Sequence, residues 1–173
     1  FASLSQLIKS PGILLFGAYF IVALIDYLKT KKLNLNYLFY LLVPVSALGI
    51  FYLYYLQTGD FLAYFHSGDN FHLTPFSYQV FVSTRSWINT IWLEDVIYIF
   101  ALCFFAIYKL WKKYKLDIVF IFPLIFTVAS VLIAHRDISR YMAPVYPFVI
   151  LAFGKKIANP KVRLIFYLLI PAV

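Results

Sequence analysis

The chain has 173 residues, 64% of them hydrophobic and 13% charged, with a formal net charge of +8. A soluble domain is nearer half apolar and a quarter charged, so this composition argues against a soluble enzyme and for an integral membrane protein with room for about six spans. The basic residues fall in short loops between apolar runs, which makes them topology signals and argues against a nucleic-acid partner.

In chain order, the first span is expected over residues 11–28, opened by Pro11, whose missing N–H costs nothing at a helix start. The basic stretch KTKKLN follows. The second span covers 35–56, with Pro44 and Gly49 as candidate kinks. Residues 57–92 form the longest polar stretch, yet aromatics run all through it. Phe61, Leu62, Tyr64 and Phe65 fit one side of a short interfacial helix, and Phe76, Val80, Phe81, Trp87 and Ile88 fit another. Further spans are expected over 93–110, 118–134, 141–158 and 164–173, the last cut short by the end of the chain. The expected fold is therefore an all-α polytopic bundle forming a single transmembrane domain over residues 1–173, with an outer aromatic loop. The chain starts at Phe1 and stops within an apolar run, so it reads as a piece of a longer protein. Its single cysteine, Cys103, excludes a disulfide framework within the chain and a CxxC zinc pair, and reads as a small buried hydrophobe.

Loop charge sets the orientation. The loops after spans one, three and five hold 11 of the 15 basic residues. Lys9, Arg85, Arg136 and Arg140 lie on the other side. The positive-inside rule then places the 11 in the cytoplasm of a multi-pass cell-membrane protein. Loop 57–92 and residues 135–140 share the outer face.

Four groups of polar residues invite chemistry. In HRDISRY, Arg136 and Arg140 are four apart, and on a helix they share a face, with His135 and Ser139 in the neighbouring row. Two guanidiniums aimed one way can grip a phosphate through paired N–H donors. The alternative is that Arg136, Asp137 and Arg140 pair with one another or with lipid head groups. Lys9, at the outer start of span one, is a second phosphate contact or a snorkelling lysine. Asp60, His66, Asp69 and His72 suggest a divalent metal or an acid–base pair, or else a solvated turn; their spacings of six, three and three match no tight ligand motif. Asp26, near the inner end of span one, fits a contact with Lys29 or with head groups.

Three stretches carry a family resemblance. FASLSQLIKSPGILL has small residues, a basic residue (here Lys9) and then Pro-Gly opening a helix. YYLQTGDFLAYFHSGDNF has a helix leaving the membrane, then Gly-Asp and an aromatic run. RDISRYMAPVYPFVILAF has Arg140-Tyr141 followed by two spaced prolines. In this order they resemble the C-terminal part of a GT-C superfamily glycosyltransferase, near the bacterial relatives of GPI mannosyltransferases and the protein O-mannosyltransferase-like enzymes. The resemblance implies transfer of a mannose-like hexose from a polyprenyl-phosphate donor to an acceptor glycan, lipid or protein on the outer face. It implies that Arg140, with Arg136 and Lys9, holds the donor phosphate, near His135, Tyr141, Asp60 and His66. The family's catalytic Asp belongs to a first outer loop that this chain does not include, so the chain alone is expected to be inactive. The rival reading is a transporter or flippase segment for a lipid-linked substrate. Transporter sites gather near the bilayer midplane. Here the polar residues collect at one interface.

Overall fold

The computed structural model describes residues 12–32, 34–66, 76, 81, 88, 92–133 and 137–169. The described residues are all-helical, with no sheet among them. Helix α1 is Ile13–Thr30, and a 3-10 segment, Leu35–Leu41, leads directly into α2, Leu42–Thr58. The short α3 is Ala63–His66. Then come α4, Trp92–Tyr114, and α5, Ile118–Val131. One turn, α6 (Ile138–Tyr141), and a 3-10 turn, Ala143–Val145, precede α7, Tyr146–Ile157; α8 is Pro160–Leu169.

Two stretches are long and apolar enough to cross a membrane: Ile13–Thr30 with 18 residues and Leu35–Thr58 with 24. Ile118–Val131 is a shorter apolar helix. Much of the apolar surface of α1 and α2 is bare; Phe20 is 59% exposed and Leu56 62%. In water, surface of that extent would be a liability.

Helix ends follow the local chemistry. Asn34 and Asp117 each cap the helix that follows, accepting from the N–H of Asn36 and of Val119 at 3.1 and 2.9 Å. At the other ends, Lys31 and Lys115 adopt the left-handed conformation (φ 56° in both) and close α1 and α4 through their N–H groups. A lysine there also places positive charge beside the negative end of the helix dipole. Pro44 falls in the first turn of α2, where it leaves few hydrogen bonds unmade, so it marks the passage from 3-10 to α geometry.

The core lies among α4, α5 and the α6–α7 hairpin. Along α4, Val96, Phe100, Cys103, Ile107 and Leu110 are buried at alternating spacings of four and three, the stripe that one helix offers to its neighbours. Phe126 of α5, Ile138 and Met142 of the α6 turn, and Val145 and Val149 meet that stripe. Cys103 is buried and unpaired, as its apolar setting suggests. Helix α1 packs on α5, with Leu14 reaching the core, and α2 packs on α1.

Two sequence expectations need revision. Ile88 was placed on an interfacial surface but is 5% exposed and joins the core. The stretch expected to be one helix from Tyr141 is three pieces. Pro144 and Pro147 remove backbone donors three residues apart, so α7 begins only at Tyr146, with Pro147 in its first turn.

Candidate functional site

The candidate residues within the described part of the chain fall into two groups. The first is built at the end of α2. Gly59 closes that helix at φ +75°, a conformation that glycine adopts without strain, and its N–H donates to the Tyr55 carbonyl. The turn delivers Asp60, whose N–H donates to Thr58 Oγ1 at 3.2 Å. Asp60 then accepts twice: from the Leu62 N–H on Oδ1 at 2.9 Å, and from His66 Nδ1 on Oδ2 at 2.6 Å. The aromatics expected to coat one side of an interfacial helix touch α2 while Phe61, Leu62 and Phe65 stay exposed. The Phe61 and Phe65 rings meet Phe51 at 5.7 and 5.5 Å, and Tyr64 stacks near Tyr54 at 6.4 Å. They clamp the four residues of α3 onto α2 and so hold His66 over Asp60.

The His66 hydrogen bond, followed by that of Leu62, holds the Asp60 carboxyl below the usual carboxylate range. The sign follows directly. A depressed carboxyl stabilises the turn above the ordinary Asp value of about 3.9, and that contribution disappears as pH falls through the depressed value. His66→Ala should therefore move the Asp60 titration upward, toward the ordinary range. Carboxyl carbon NMR of the chain in detergent checks this; an unmoved titration would break the link between the two residues.

The second group is the α6 turn. Ile138 and Met142, four apart, are both fully buried. They fix one face of a turn too short to hold itself. Ser139 and Arg140 are therefore turned outward and exposed, with Tyr141 half-buried. The Tyr146 hydroxyl donates to the Ser139 carbonyl at 2.7 Å and ties α6 to α7. Nothing in the spacing of the sequence announced this bond. Arg140 makes no ion pair with a described residue.

The face that Arg136 was expected to share with Arg140, and the row of His135 with Ser139, fall partly outside the described residues. Among the described residues, the backbone at Asp137 (φ −94°, ψ 45°) is not helical and α6 begins at Ile138. Lys9, His135, Arg136, Asp69 and His72 lie outside the described residues. No hydrogen bond or ion pair joins the Asp60–His66 pair to Arg140 among the described residues. Nor do three or more His, Cys, Asp or Glu side chains gather there in a group that could hold a metal ion.

What the described geometry offers is one exposed guanidinium on a pinned turn, and separately a carboxylate–imidazole pair at a helix end. Comparison of the chain with protein-family models, curated proteins and solved structures gives no match.

Proposed function

We propose that the chain is a six-span membrane domain of a GT-C-type glycosyltransferase, with loop 57–92 and residues 135–140 on the outer face. It serves transfer of a hexose from a polyprenyl-phosphate donor to an acceptor at that face. The observation that supports this best is the α6 turn: an exposed Arg140 held by buried Ile138 and Met142 and by the Tyr146–Ser139 bond. Arg140 precedes the start of α7, and Lys155 and Lys156 lie in the last turn of that helix, roughly 15 Å along its axis from Tyr146.

In this reading an acceptor hydroxyl attacks the anomeric carbon, the bond from that carbon to the phosphate oxygen breaks, and the phosphate leaves with the electron pair. Charge grows on the phosphate in the transition state, and N–H donors from Arg140 stabilise it. The hydroxyl proton goes to a carboxylate supplied by the first outer loop of the longer protein. Asp60 is not that base in this reading, because its two acceptor bonds keep it a weak one.

The test is direct. Membranes holding the natural full-length protein are given a labelled polyprenyl-phosphate hexose and scored for label on a non-prenyl acceptor. Label on the acceptor supports the proposal. Movement of intact lipid-linked sugar across the bilayer without transfer replaces it with the transporter reading.

A further inference from the structure

A second site stands out at the end of the molecule away from Arg140. The C-terminal ends of α4 and α7 enclose a cavity of about 390 Å³, within the size range of small-ligand pockets. Lys109 and Lys113 of α4 and Lys155 and Lys156 of α7 line it, over walls that include the exposed Leu151 and the half-buried Phe153. No carboxylate is among its lining residues. The nearest acid along the chain, Asp117, is occupied in capping α5.

Four lysines lining one space repel one another. Lysines at helix C-termini have an ordinary role, which is to complement the dipole, but a helix end carries only about half a negative charge. Two ends offset about one of the four cations. None of the four is in an ion pair with a described residue. One of them is also held in place: Lys109 Nζ lies 4.3 Å from the centre of the Phe153 ring, which stacks with Phe105. That contact fixes a charge against an apolar wall.

We propose that this cavity binds the phosphate of an anionic phospholipid headgroup from the cytoplasmic leaflet, with the glycerol end of the lipid against Leu151 and Phe153. The charge supplies the counter-ion, and the mixed lining favours a lipid over a free phosphate, which would leave the apolar wall wet. A basic pocket between helices on the cytoplasmic side is the usual form of such a site. The inference rests on the membrane orientation and not on sugar transfer, so it stands or falls without a transfer assay.

Lys112 provides a matched control. It precedes Lys113, carries the same charge and does not line the cavity; it lies instead over Tyr108 at 4.6 Å. The chain in non-ionic detergent is titrated with short-chain phosphatidylglycerol, short-chain phosphatidylcholine and inorganic phosphate, and bound species are counted by native mass spectrometry. One phosphatidylglycerol should bind in preference to the other two. Lys113→Gln and Lys156→Gln should each weaken it about fivefold, the worth of one lysine beside a charged headgroup, while Lys112→Gln leaves it unchanged. All three side chains are exposed, so the variants keep the fold. Equal losses in Lys112→Gln and Lys113→Gln would reduce the effect to general surface charge and overturn the site. Phosphatidylcholine binding as tightly would overturn its anion preference, and inorganic phosphate binding as tightly would overturn the lipid assignment.

Discussion

Arg140→Ala in the full-length protein should lower transfer from a polyprenyl-phosphate sugar by about 10²–10³-fold, the usual loss when one preorganised donor to developing charge is removed. Arg140 is exposed, so its truncation opens no cavity and the protein should remain folded in membranes. Arg140→Lys should recover only part of the rate. An ammonium supplies a point charge but not the planar fork that presents two parallel N–H groups to a phosphate. Arg163→Ala removes the same charge from an exposed position on α8, beyond the lysine-rich ends, and should leave transfer unchanged. Measured at saturating donor, the Arg140 effect should persist in kcat, because the interaction strengthens as the phosphate leaves. Transfer by Arg140→Ala at the wild-type rate would remove Arg140 from the phosphate site.

Where helices lie was legible because long apolar runs end at unambiguous signals. Lys31, Lys32 and Lys115 close two of them, and Asn34 and Asp117 open the next. Where a segment turns within itself was legible only in part: Pro144 and Pro147 signal a bend at the start of the fifth span but not its form. The run after Tyr141 is apolar enough to read as one helix, and hydropathy carries no information about hydrogen bonds. Two prolines three apart decide the matter by removing donors, and the chain answers with a 3-10 turn and a late helix start. The Asp60–His66 pair was present in the sequence as two candidates, six residues apart, with nothing to join them. Gly59 makes the turn and the Phe51 cluster closes it, and both depend on tertiary contacts that spacing does not encode.

The α6 turn is the place where packing and proposed chemistry are most tightly bound together, and Ile138→Ala should show it. Four residues cannot form a stable helix alone, so burial of Ile138 and Met142 must hold this one. Deleting three carbons from a fully buried Ile costs about 2–5 kcal/mol, more than a single turn can regain by relaxing. Two amides report on it: Tyr141 N–H donates to the Asp137 carbonyl and Met142 N–H to the Ile138 carbonyl, at 3.1 and 2.9 Å. In Ile138→Ala their hydrogen-exchange protection should fall by roughly 100-fold, the equivalent of about 2.7 kcal/mol. Ile138→Val should retain most of it, since that exchange typically costs only about 0.5–1.5 kcal/mol. Ser139→Ala should change little, because the Tyr146 hydroxyl bonds the backbone carbonyl and the side chain is exposed. Exchange at Tyr141 and Met142 that is the same in Ile138→Ala as in the parent would show that the turn is held by something other than its buried face. Arg140 would then owe its position to another contact.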